Sequence, residues 1–267
     1  MPSFGFDGFK IAFEERGRPA AGKRPFVLIH GLLFARTHHY GLADALVDQG
    51  NRVILVDLLG HGESDRPKHA RHYSMEIYGR QALALLDHLD ISEAVVGGTS
   101  LGANVTLEVA AHAPERVRGM FIEMPVLERA APAAALLFSP LLIGYAQAAT
   151  PVGWFAKAIE RVPRIFGPNG NVMLDLLSRE PVSSAAVLHG LLTGRIAPPP
   201  ADREKIEAPA LIMGHMRDLL HPLSDAEALH RELQNSELMQ SSSFLELRFP
   251  PNRLSDRIAD FVDEVWL

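Results

Sequence analysis

The residues with the clearest chemical potential are Gly98-Thr99-Ser100-Leu101-Gly102. They fit G-x-S-x-G and stand where an apolar run, residues 94–98, gives way to a helical pattern beginning at Leu101. A serine on a sharp strand-to-helix turn has its hydroxyl lifted clear of the sheet, and small flanking residues relieve the crowding that the turn creates. The helix starting beneath it supplies N–H groups without intrahelical partners and the positive end of a dipole, both suited to a developing oxyanion. The chemistry implied is nucleophilic attack on a carbonyl. Serine is a poor nucleophile at neutral pH unless a neutral imidazole accepts its proton, so the placement of histidines and carboxylates decides what this serine can do.

Positioning such a turn requires strands and helices in alternation. Short apolar runs occur at residues 26–30, 53–57, 94–98, 117–124, 210–214 and 244–249. Helical patterns fall at residues 42–49, 74–89, 101–112, 225–234 and 253–266. The pattern at 225 has Ser224 before it and Glu227 three residues on, the spacing of a capping box. Uninterrupted apolar strands between helices predict an α/β fold with a doubly wound, mostly parallel sheet covered on both faces. From Met124 to about Pro200 the alternation stops, and the chain turns helical and rich in Ala, Leu and Pro. The expected organisation is therefore a core of residues 1–124 and 201–267 with a helical cap inserted at 125–200.

Four features resemble the α/β-hydrolase superfamily, in its family order. They are His30-Gly31, the run Asp57-Leu58-Leu59-Gly60-His61-Gly62-Glu63-Ser64, the turn at Ser100, and Gly214-His215-Met216-Arg217-Asp218. The resemblance covers nearly the whole chain. It implies that Ser100 is the nucleophile, that the Leu32 and Leu101 N–H groups form the oxyanion hole, and that Asp218 is the triad acid. It also implies that His30 braces the oxyanion loop.

The same resemblance places the general base after the last strand. With that strand at residues 244–249, the following loop reads Pro250-Pro251-Asn252-Arg253 and holds no histidine. Of the 12 histidines, His221 and His230 alone follow Asp218. His230 lies inside a polar helical pattern and reads as exposed. His221 sits in the loop after the strand, on the side where Ser100 emerges. It is the best substitute base, with a loop-bracing histidine as the alternative. Glu123, ending the 117–124 run, is a second candidate acid or a structural partner. His189, in the insertion, could reach the site from above. His61 reads as a loop residue. The pairs His38-His39 and His69/His72 lack a further ligand at metal-binding spacing, so no metal is expected.

Composition narrows the partners. The 267 residues carry 26 basic and 32 acidic side chains for a net charge of −6, which argues against nucleic acid. The absence of cysteine excludes disulfides and thiolate chemistry. No P-loop or dinucleotide fingerprint occurs, and no cofactor is expected. With no signal-like N-terminus and no apolar stretch of spanning length, the protein is expected to be soluble and cytoplasmic. The oligomeric state is left open. Few charges occur between Ala130 and Ala156, while Leu136, Leu137, Phe138, Leu141, Leu142, Ile143, Trp154, Phe155 and Ile159 offer an apolar wall. A small apolar acyl, aryl or alicyclic substrate is favoured. Three readings follow: an ester or thioester hydrolase with a non-standard base, a non-hydrolytic lyase or cyclase on the same scaffold, or a ligand-binding protein without turnover.

Overall fold

Five of the six apolar runs are strands in the computed structural model, which describes residues 1–17, 24–163, 174, 177–216, 218–243 and 246–267. They are β3 (Pro25–Ile29), β4 (Arg52–Val56), β5 (Ala94–Thr99), β6 (Val117–Glu123) and β7 (Ala210–His215). Three more complete the sheet: β1 (Ser3–Phe6), β2 (Phe9–Arg16) and β8 (Ser236–Ser241). The spatial order is β1-β2-β4-β3-β5-β6-β7-β8. β1 and β2 pair antiparallel, β2 runs antiparallel to β4, and every other pairing is parallel. The β1–β2 turn is Asp7-Gly8 with φ of 48° and 82°, the left-handed geometry of a two-residue hairpin.

The sheet is covered on both faces. Alternate residues of each strand point to opposite sides. Phe26 and Leu28 of β3 thus join one core under α1 (Tyr40–Asp48), while Val27 and Ile29 join the other under α2 (Met75–His88) and α3 (Leu101–His112). Along the chain, β6 and β7 are separated by α4 (Ala131–Gln147), α5 (Ala149–Glu160), α6 (Pro181–Thr193) and the short α7 (Pro200–Arg203). Asn104, in the first turn of α3, clips both ends of this insertion: its side chain bonds the Val126 backbone in both directions and donates to the Ile196 carbonyl. Among the described residues no single helix is long and apolar enough to cross a membrane; α4 and α5 reach that length only as a pair bent by 98°.

Two sequence expectations are corrected. Residues 246–248 form a 3-10 turn, while Phe244 and Leu245 lie outside the described residues. The turn buries Leu247 and carries Arg248 inward to Glu123, whereas Phe249 after it is exposed. The last strand is instead β8, an edge strand whose SELMQS sequence is mostly half-buried and therefore carries no apolar run. No histidine stands between β8 and the C-terminus, so the missing-base argument is unaffected. The second correction concerns Ser224. α8 (Leu223–Glu232) starts two residues earlier than expected, with Pro222 at the cap and no side-chain cap bond. The adjacent Asp225 is buried and accepts the N–H groups of Leu127 and Ala130, at the entry to α4. The capping box belongs to Asn252 and Ser255, at the start of α9 (Arg253–Val265).

Candidate active site

Ser100 occupies the junction between β5 and α3 with φ 55° and ψ −107°, a left-handed conformation that costs a non-glycine residue roughly 1 kcal/mol or more. The surroundings enforce it. Its N–H donates to the Glu123 carbonyl at 2.8 Å and its carbonyl accepts from Asn104 N–H at 3.0 Å. The motif's glycines follow from the neighbouring strand: a Cβ on Gly98 or Gly102 would lie 2.2 or 2.0 Å from the Ile29 carbonyl oxygen. Only a hydrogen at both places lets β3 pass beneath the turn.

The Ser100 hydroxyl faces His221. His221 Nε2 stands 2.9 Å from Ser100 Oγ, and Nδ1 stands 3.0 Å from Asp218 Oδ2. The other carboxylate oxygen, Oδ1, accepts the backbone N–H groups of Leu220 at 2.9 Å and His221 at 3.0 Å. A single aspartate therefore closes the loop turn and orients the imidazole. Against a carboxylate, Nδ1 carries the proton and Nε2 is left as the acceptor facing the serine. Burial by itself would raise the Asp218 pKa, but the bonds from His221 and from the two backbone N–H groups outweigh it and hold the carboxyl at about 2. The acid and the histidine are three residues apart on one loop, at the sheet edge where Ser100 emerges. Their neighbour Arg217 lies outside the described residues.

Leu32, Ser100, Asp218 and His221 line a cavity of about 580 Å³, walled by Leu137, Phe138 and Leu141 of α4. Leu32, Ser100, Leu101 and Phe138 also border a smaller, almost wholly apolar recess of about 60 Å³, closed by Leu188, Leu191 and Leu192 of α6.

Comparison with known proteins agrees with this architecture. The family described as alpha/beta hydrolase fold matches residues 24–156. The chain belongs to the α/β-hydrolase fold superfamily. Among curated relatives, the dihydrolipoyllysine-residue acetyltransferase component of the acetoin cleaving system of Pseudomonas putida is 40% identical over 99 residues, covering 37% of this chain and 26% of that protein. The first curated relatives are each matched over 26–38% of their own length. The enol-lactonase of Burkholderia xenovorans superimposes with a TM-score of 0.75 at 17% identity, covering 99% of both chains. A thermophilic esterase of Thermogutta terrifontis gives 0.76 at 22% identity, over 99% of this chain and 97% of that one.

Within this fold the remaining sequence candidates fall into different places. His30 is buried: its Nδ1 lies 2.8 Å from the Gly31 carbonyl and its Nε2 accepts the Leu58 N–H at 3.1 Å, tying the loop after β3 to the loop after β4. His61 is fully buried against His30, with ring centroids 4.8 Å apart, and its Nδ1 lies 3.1 Å from the Leu59 carbonyl. His38 and His39 are buried as well, and burial pushes the His39 pKa down to about 3. His69 and His72 sit with ring centroids 6.4 Å apart. His189 is exposed on α6, and His230 is exposed on α8 with its Nδ1 2.8 Å from Ser236 Oγ; the imidazole at Ser100 Oγ is that of His221.

Glu123 is fully buried beneath the turn at Ser100, where it does not meet His221. Its carboxylate accepts from Thr99 Oγ1 and Arg248 Nη2, with His215 Nε2 at 3.5 Å. Burial would raise its pKa; the Arg248 guanidinium outweighs that, with Thr99 and His215, and holds it at about 2. Arg248 carries no motif, so the sequence offered no signal for this pair. Of the apolar wall, Leu137, Phe138 and Leu141 face the cavity, while Leu136 and Trp154 are 79% and 73% exposed.

Proposed function

We propose that this chain is a serine hydrolase that cleaves esters or thioesters of a small apolar acyl, aryl or alicyclic group. The observation that carries the reading is the continuous chain from Ser100 Oγ through His221 to Asp218, with links of 2.9 and 3.0 Å. In this mechanism His221 Nε2 removes the Ser100 proton as Oγ attacks the carbonyl carbon. Asp218 keeps the proton on Nδ1 and stabilises the imidazolium that forms. The Leu32 and Leu101 N–H groups receive the oxyanion. His221 then protonates the departing alcohol or thiol. Water, deprotonated by the same imidazole, attacks the acyl-enzyme and releases the acid.

The 580 Å³ cavity, apolar on its α4 side, falls in the range of small-molecule sites and favours an apolar acyl group. Residues 125–200 act as the cap that encloses it, on a core of 1–124 and 201–267. An enol-lactonase and an esterase share the fold, and both names denote cleavage of an ester bond. The lyase or cyclase reading drew on the lack of a base, and His221 within hydrogen-bond distance of Ser100 weakens that motive. Hydrolysis of a p-nitrophenyl ester series, acetate to decanoate, tests the proposal. The expected result is turnover that Ser100→Ala abolishes. Turnover unchanged in Ser100→Ala would refute the nucleophile. No turnover of any ester, with ligand-dependent thermal stabilisation, would favour a binding protein.

A further inference from the structure

The turn that carries Leu32 is an unfavourable one for its sequence. Phe34 N–H bonds the Gly31 carbonyl at 3.1 Å, closing a four-residue turn with Leu32 and Leu33 at its centre. Leu33 has φ 63°, the left-handed region that such turns normally give to glycine or asparagine. Leu33 is buried, so the turn needs outside support to keep this shape. At its entry the support is His30, bonded to Gly31 and Leu58. At its exit it comes from the insertion between β6 and β7. Arg179 Nη1 donates to the Leu33 carbonyl at 3.1 Å and Nη2 donates to the Gly60 carbonyl at 2.7 Å. Arg179 is buried, with 5% of the residue exposed. A planar fork is the group that can hold two carbonyls of different loops at fixed separation.

We propose that Arg179 is a positioning residue. From the insertion it clamps the exit of the 31–34 turn to the 57–64 loop, and so holds Leu32 N–H toward the carbonyl that Ser100 attacks. The oxyanion hole is then complete only while the insertion is docked. This inference rests on the serine-hydrolase reading. Arg179 touches neither substrate nor reacting atoms; it acts through the backbone of Leu33.

Arg179→Ala and Arg179→Lys test it, with active sites titrated so that rates refer to competent enzyme. The expected result for Arg179→Ala is a kcat on p-nitrophenyl butyrate lower by about 10–100-fold, a fraction of what losing an oxyanion donor outright costs. KM stays within about threefold, because the N–H is strongest toward the transition state. Affinity for a phenylboronic acid falls in parallel, and added methylguanidinium restores part of the rate. Arg179→Lys, with a point charge in place of a fork, recovers little. An unchanged kcat per titrated site and unchanged boronate affinity would overturn the inference. Hydrogen exchange of residues 31–35 separates it from the parent reading: faster exchange in either variant is expected, and unchanged exchange overturns the clamp whether or not the wild type hydrolyses esters.

Discussion

Replacing Asp218 with asparagine isolates what the carboxylate does for His221. The loop should survive the change. Asparagine Oδ1 can still accept the Leu220 and His221 N–H groups that the wild type holds at 2.9 and 3.0 Å. The amide nitrogen then occupies the place of Oδ2, 3.0 Å from His221 Nδ1. An NH₂ group cannot accept, so Nδ1 must present its lone pair and the imidazole proton moves to Nε2. That nitrogen would then donate to Ser100 Oγ and could no longer take its proton. A wrong tautomer with intact geometry costs about 10⁴ in kcat, or ~5.5 kcal/mol of transition-state stabilisation. Asp218→Ala should lose as much and also loosen the loop. The assay is kcat on p-nitrophenyl butyrate at pH 7–8, with thermal melting to confirm folding. A folded Asp218→Asn within tenfold of the wild type would refute the assigned role of the carboxylate.

Three further outcomes are expected. Glu123 is held at about 2, below its ordinary 4.5, so its ionised form stabilises the fold above pH 4.5, and that contribution is lost as pH falls from 4.5 toward 2. Glu123→Gln should therefore show a smaller drop in urea midpoint between pH 7 and pH 3 than the wild type; equal drops would contradict the Arg248 pairing. Gly102→Ala sets a Cβ 2.0 Å from the Ile29 carbonyl oxygen, and should destabilise by about 1–3 kcal/mol, lowering Tm by about 3–10 °C. An unchanged Tm would mean that the strand crossing is not what requires glycine. Phe138 borders both the 580 Å³ cavity and the 60 Å³ recess, so Phe138→Ala should merge them and shift the ester preference toward longer acyl chains, by up to ~0.8 kcal/mol per added methylene. A chain-length profile identical to the wild type would remove Phe138 from the acyl pocket.

Elements with strong local signals were legible in the sequence. The inner parallel strands announce themselves because both faces are buried, and the turn at Ser100 because the passage of β3 demands two glycines. The edge strand β8 was not legible, since a half-exposed strand needs no apolar run, and the apolar alternation at 244–249 lent itself to the wrong assignment. Ser224 resembled a cap because serine and glutamate at that spacing often form one, but Asp225 is committed to the α4 entry and Pro222 starts the helix. His221 was readable as a candidate from its loop alone, since it follows Asp218 closely and precedes a helix start. Its distance to Ser100, 121 residues earlier, is a product of strand order. Arg248 and Arg179 lie outside any motif, and what they bond is decided by packing between segments far apart in the chain.

The central claim is that His221, three residues after Asp218, activates Ser100. The direct measurement is the labelling rate of the protein by a fluorophosphonate, with the adduct located by peptide mass mapping, in the wild type and in His221→Ala. The account predicts a single adduct on Ser100 and a labelling rate at least 10³-fold slower in His221→Ala, on the order of the loss when a triad base is removed. Labelling of Ser100 at the same rate in both proteins, or no labelling of the wild type, would contradict it.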